Sequence, residues 1–238
     1  RFLPAKVFAA PIVPGLSDPA VQPLFTNKVP DALMPGFKYT PQGRRYVVGA
    51  GATTQPTGLV ETIAEGVAGD PVNTPVWGYG QDGEYTWPGK TFEVQAGRRT
   101  PVRWENNLPV GPHLLPVDTT LHWSYSLHGY TGYSIVANGV PIVMHLHGGH
   151  SKDLFDGNPE QFFGPGYFPR GPRFQSPNFV YDNDQIAGNL WYHDHSLGIT
   201  RLNVYAGLAG FYFVRDENDT GLPGNPLNLP AWPYEKAY

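Results

Sequence analysis

The 238-residue sequence has no cysteine, only two methionines and few charges, Asp, Glu, Lys and Arg together making 15% of it. The missing thiol removes disulfides, zinc ribbons, iron–sulfur ligation and cysteine nucleophiles at once. It also excludes a blue-copper site built from this sequence alone, because such a site needs a thiolate. Long apolar runs are absent too: nothing approaches the roughly 18 consecutive apolar residues from which a membrane-crossing helix is read. A net charge of −4, without any Lys/Arg block, leaves no electrostatic footprint for nucleic acid or an anionic membrane. Small neutral ligands suit this chain better.

What is abundant points to one folded core. Hydrophobic residues make 40% of the sequence and aromatics 14%, far from the profile of a disordered chain. The 29 glycines and 26 prolines are turn chemistry, which fits many short strands joined by shaped loops better than long helices. The expected fold class is all-β. Residues 1–35 are rich in proline and lack periodicity, so they read as an extended N-terminal arm. Arg44–Ala50 reads as a first strand, followed by a Gly-rich, weakly patterned stretch to Thr74. Apolar and polar residues then alternate through Thr91–Gln95 and, after a turn at Gly97, through Thr100–Asn106, which reads as a β-hairpin. Pro141–His147 reads as a central strand, residues 150–188 as mostly loop, and residues 188–195 and 208–214 as further strands. The best helix candidate is Ser196–Tyr205, and no helix should exceed two or three turns. Residues 217–238, again rich in Gly and Pro, read as a linker.

Five of the eight histidines fall in two places: His145 and His147 with His150 close behind, and His193 with His195. On a strand, residues i and i+2 share a face at roughly 6.5–7 Å. That is wide for chelating one ion but suits two neighbouring ions, and two facing pairs would make a multinuclear site. Imidazole-only ligation suits copper, zinc, iron or nickel, with copper(II) favoured by affinity. A three-histidine zinc hydrolase is the natural competitor on spacing alone. A single His-x-His is more often structural than ligating; two such pairs in strand context shift the balance towards a metal. His113, His122 and His128 are unpaired loop histidines that suit surface or structural roles. Met34 lies in the arm and Met144 alternates away from the histidines, so neither is placed as an axial ligand.

Several motifs carry a resemblance. Met144-His145-Leu146-His147-Gly148-Gly149, then Asp156-Gly157, then Leu190-Trp191-Tyr192-His193-Asp194-His195-Ser196, and finally Thr200 to Gly210 resemble the amino-terminal domain of multicopper oxidases. The likeness is to the branch of spore-coat laccases, bilirubin oxidases and phenoxazinone synthases, and it runs from about Trp77 to Asp216. It implies a cupredoxin-like Greek-key β-sandwich over residues 36–216, with short helical segments. It implies that His145 binds a type 2 copper, that His147 and His193 bind one type 3 copper, and that His195 binds the other. His150 is not a ligand in the family, and a supporting role beside the first pair is the most it would have. Asp156 matches an acidic residue that orients water and assists proton delivery.

The implied reaction takes single electrons from a small aromatic donor (phenolic, aminophenolic or bilin-like) and reduces O2 to water. The family places the remaining copper ligands and the blue-copper cysteine in a further cupredoxin domain. Residues 217–238 resemble the segment leading towards it, so a second polypeptide, or a cleaved or continuing remainder of the same one, is expected as partner. The alternatives are a copper-binding module without turnover and the zinc hydrolase. The family implies an extracytoplasmic or secreted location.

Overall fold

The computed structural model describes residues 17–237, so the first sixteen residues of the expected arm lie outside it. Nine strands and two short helices follow in order: β1 (Tyr46–Ala64), β2 (Val67–Gln81), β3 (Glu84–Thr86), β4 (Gly89–Gln95), β5 (Thr100–Asn106), α1 (Ile135–Asn138), β6 (Met144–His147), β7 (Asn178–Tyr181), β8 (Gly188–Asp194), α2 (Thr200–Ala206) and β9 (Ala209–Arg215). The chain is an all-β sandwich. One sheet has the order β3-β2-β1-β5-β7 and the other β4-β9-β8-β6.

Residues group into two units. In the first, residues 17–29 accompany residues 56–74, the outer parts of β1 and β2. There the Gln22 side chain donates to the Val60 carbonyl at 3.1 Å and accepts from the Val60 N–H at 2.9 Å, filling a free strand edge with an amide. This corrects the reading of a weakly patterned stretch to Thr74: β1 runs for 19 residues and β2 for 15. The pattern escapes notice because residues 56–74 mix small and polar side chains with exposed Leu59, Ile63 and Val67. Without a buried face, alternation loses its hydrophobic signature.

The second unit, residues 30–55 and 75–237, holds the main core and the greater part of both sheets. The inner faces meet through aromatic rings: Tyr79 and Trp104 from one sheet stand 5.2 and 5.6 Å from the ring of Tyr192 in the other. Such pairs contribute roughly 0.5–1.5 kcal/mol each beyond the burial itself. Tyr192 donates its hydroxyl to the Lys90 carbonyl at 2.7 Å. Gly210 must be glycine, because a Cβ there would come within 2.4 Å of Tyr192 Cζ. Tyr192 is thereby locked inward, which turns its neighbours Trp191 and His193 outward.

Four further expectations are corrected. The segments at 91–95 and 100–106 do not form a hairpin: β4 pairs in parallel with β9, whereas β5 pairs in parallel with β1 and antiparallel with β7. The turn at Gly97 carries the chain from one sheet to the other. The strand read over Pro141–His147 begins at Met144 and lies at a sheet edge, not centrally. Pro141 has no N–H to give a ladder, and Ile142 instead exchanges two backbone hydrogen bonds with Phe163. The stretch 150–188, read as mostly loop, also contains β7, whose four residues are too few for a periodic signal. The helix read over 196–205 starts only at Thr200, because residues 196–199 form the turn that follows His195.

Candidate metal centre

The site is built on the antiparallel pair β6 and β8, whose register sets Met144 opposite Asp194, His145 opposite His193, Leu146 opposite Tyr192 and His147 opposite Trp191. Opposed residues share a face. Met144, Leu146, Tyr192 and Asp194 therefore face the core, where each is buried, and His145, His147, Trp191 and His193 share the other face. His195 follows the end of β8, its N–H donating to the Val143 carbonyl at 2.7 Å. Both His-x-His pairs converge at one end of the sheet.

One ring nitrogen from each of His145, His147 and His193 lies within 4.8 Å of the others. His147 Nδ1 and His193 Nε2 are 3.2 Å apart. Two nitrogens bound at about 2.0–2.1 Å to one tetrahedral ion would stand roughly 3.3 Å apart, so this pair has the span of two ligands on a shared metal. The His195 ring centroid is 5.0 Å from that of His145 and 5.8 Å from that of His193. Its Nδ1 is buried without a hydrogen-bond partner, an uncompensated cost unless something is bound there.

Two of the rings commit their Nδ1 to the backbone. His145 Nδ1 donates to the Asp156 carbonyl at 2.5 Å, and His193 Nδ1 donates to the Asp194 carbonyl at 2.7 Å. Each bond fixes the tautomer and leaves Nε2 unprotonated for a metal. Burial, reinforced by the neighbouring His145, His195 and His147, pushes His193 down to about 4, and burial likewise lowers His195. Neutral imidazole is the ligating form, so these rings are ready to bind at neutral pH. Trp191 lies flat against two of them, with centroids 4.0 Å from His193 at 27° and 5.0 Å from His147 at 25°.

Asp156 enters beside His145, its carboxylate Oδ1 3.3 Å from His145 Nδ1 and its side chain 48% exposed. Gly157 permits the approach: its φ is +77°, and a Cβ there would meet the Met144 carbonyl oxygen at 2.2 Å. His150 is not gathered in; its Nδ1 stands 3.7 Å from Asp184 Oδ1 at the surface. His122 neighbours Ser126, and His128 lines an open groove with Tyr130 and Phe168. Sequence reading missed two features. One is Trp191, stacked on His193 and His147; the other is the set of hydrogen bonds that joins Asp194, Asn203 and His113.

No protein-family profile matches the chain. Its sequence is 41% identical over 159 residues to a laccase of Bacillus subtilis (strain 168), covering 66% of this chain and 29% of that protein. It is 38% identical over 170 residues to multicopper oxidase LPR1 of Arabidopsis thaliana, covering 69% of this chain and 28% of that protein. A laccase of Haloferax volcanii is 37% identical over 167 residues, with 69% and 28% covered. The crystal structure of a multi-copper oxidase from Pediococcus acidilactici matches 78% of this chain and 29% of its own at a TM-score of 0.48 and 19% identity. On its sequence relatives, this chain belongs to the multicopper oxidase family. It spans less than a third of the length of these relatives.

Proposed function

We propose that this chain supplies one half of the imidazoles of a trinuclear copper site in a laccase-like oxidase that couples one-electron oxidation of small aromatic donors to reduction of O2 to water. The observation that carries this reading is the β6–β8 register, which sets two His-x-His pairs on one sheet end with Nε2 of His145 and His193 unprotonated. His145 would hold a type 2 copper, His147 and His193 one type 3 copper, and His195 the other. The 3.2 Å span between His147 and His193 and the orphaned Nδ1 of His195 support that set.

Copper, when bound, supplies one-electron redox chemistry, and four electrons with four protons convert one O2 into two waters. The residues of this chain hold and orient. The Asp156 carbonyl keeps the His145 proton on Nδ1, and the half-exposed Asp156 carboxylate beside it is placed to pass protons between solvent and the site. The remaining ligands and the thiolate for a blue copper would come from polypeptide beyond these 238 residues, whether continuous with them or separate, and donor binding would lie there too. Phenols, aminophenols and bilin-like molecules are the donors proposed, and an extracytoplasmic site of action goes with them. Among the described residues no helix is long and apolar enough to cross a membrane.

In a zinc hydrolase an acidic side chain beside the metal commonly serves as general base to the bound water. Asp194 faces the core, where its carboxylate is fully engaged, and only Asp156 remains for that role. The deciding experiment is metal analysis of the gently purified protein together with oxygen uptake driven by a phenolic donor. Copper with donor-dependent uptake supports the oxidase. Copper without uptake indicates a binding module, and zinc without copper overturns the reading.

A further inference from the structure

A carboxylate lies in the core directly between the two histidines at the end of β8, His193 within the strand and His195 just past it. Asp194 is wholly buried, and four donors surround it. Oδ1 accepts from the Val143 N–H at 2.9 Å and lies 2.9 Å from Ser196 Oγ, while Oδ2 accepts from the Ser196 N–H at 3.1 Å and from Asn203 Nδ2 at 2.9 Å. Val143 leads into β6 and Ser196 follows His195. The carboxylate therefore ties the start of one histidine strand to the end of the other.

Asn203, on α2, extends this tie. Its Nδ2 faces only acceptors, Asp194 Oδ2 and the Pro141 carbonyl at 3.2 Å, so its Oδ1 must face outward to His113 Nε2, 3.0 Å away. The ring of His113 is equally determined. The Leu115 N–H can only donate, and it points at His113 Nδ1 from 2.9 Å. The single ring proton is consequently on Nε2, donated to Asn203. The edge of His113 rests on Trp77, with centroids 4.3 Å apart. Each hydrogen in the chain Leu115 N–H, His113, Asn203, Asp194 has one direction, and that chain ends between His193 and His195.

We infer that His113, Asn203 and Asp194 form a positioning relay, in which a loop histidine that ligates nothing sets the spacing and orientation of the two histidine pairs. The inference rests on the copper reading above for its consequence, though not for its geometry. Groups hydrogen-bonded directly to a ligating imidazole command roughly 10–100-fold in metal affinity; His113 reaches the ligands only through Asn203 and Asp194, so a smaller change is expected of it.

The test uses the protein at its full natural length. His113→Ala removes the ring, and His113→Gln keeps an N–H donor for Asn203. Copper affinity is read by competition with a chelator, the copper environment by electron paramagnetic resonance, and the ring resonances of His193 and His195 by NMR of the metal-free protein. The expected result is a loss of copper affinity in H113A of up to roughly 10-fold, the low end of the range for groups bonded directly to a ligand, with altered copper hyperfine splitting and displaced ring resonances, most of each restored in H113Q. Unchanged affinity and ring resonances in H113A overturn the relay. Equal losses in H113A and H113Q also overturn it, since packing on Trp77 would then be the cause. If H113A fails to fold, Asn203→Asp, similar in shape but unable to donate to ionised Asp194, takes its place with the same expectation. A wild-type protein that takes up no copper sinks the copper reading, and the ring resonances still decide the relay.

Discussion

The two ends of the β4-β9-β8-β6 sheet treat their polar side chains in opposite ways. At the end of β9, Arg215 is 3% exposed at its side chain, and each of its three nitrogens donates to a carboxylate: Glu93 at 3.0 Å, Asp219 at 3.0 Å and Glu235 at 2.9 Å. Lys38 pairs with the second oxygen of Glu93. At the opposite end, four imidazoles crowd together with one Nδ1 unpartnered, and burial disfavours the charged form of His193 and His195. A closed set of ion pairs has no valence left over and serves structure. An open set of neutral donors, held by backbone carbonyls, has valence to spare and serves a ligand.

The largest effect that would break this contrast is on metal content. His193→Ala removes the most buried imidazole of the set and should lower copper retention beyond the ~100-fold upper range of outer partners. Arg215→Met should leave copper retention unchanged, and metal-to-protein ratios after dialysis would show both. Similar copper loss in the two variants would mean that the sheet ends are not independent.

Next comes stability. Arg215→Met leaves three partly buried carboxylates facing one another and should cost about 3–5 kcal/mol in urea unfolding. His193→Ala should cost less, because no charge is stranded. The reverse order would show that the imidazole end also carries the fold. A smaller loss, roughly 1–3 kcal/mol, is expected of Gly157→Ala, where a side chain is forced into a positive-φ position against β6. This variant should also weaken copper binding, because the intruding Cβ would sit 2.9 Å from His145 Cα.

The histidine pairs were legible in the sequence because a period of two is a local property of a strand. Their meeting was not. The register that sets His145 against His193 joins residues 48 positions apart, and nothing in either segment specifies it. Gly97 shows the same limit in another form: alternating segments on both sides of a glycine have the look of a hairpin, yet each found a more distant parallel partner. His113 was set aside as an unpaired loop histidine because its partner, Asn203, lies 90 residues away. Arg215 closes its network with Glu235, 20 residues on, inside the segment read as a linker. Local chemistry was readable, and the contacts that decide which polar groups are satisfied are long-range.

The smallest expected effect separates the two ends by pH in the chelator-treated protein. Burial lowers His113 below its ordinary 6.5, so the unfolded chain takes up the proton first as pH falls. Stability should decline once pH drops below about 6.5 and level off when the folded form also protonates. His193 and His195, lowered in the same direction, add to this window. At the other end burial would raise Glu93, but Lys38 and Arg215 hold it below its ordinary 4.5. Its contribution is complete above that value and is lost only as pH falls through the lower folded value. Unfolding free energies measured from pH 7 to 3 should therefore show two successive declines, His113→Gln reducing the upper one and Glu93→Gln the lower. A single decline removed by either substitution would mean that the two ends titrate as one network.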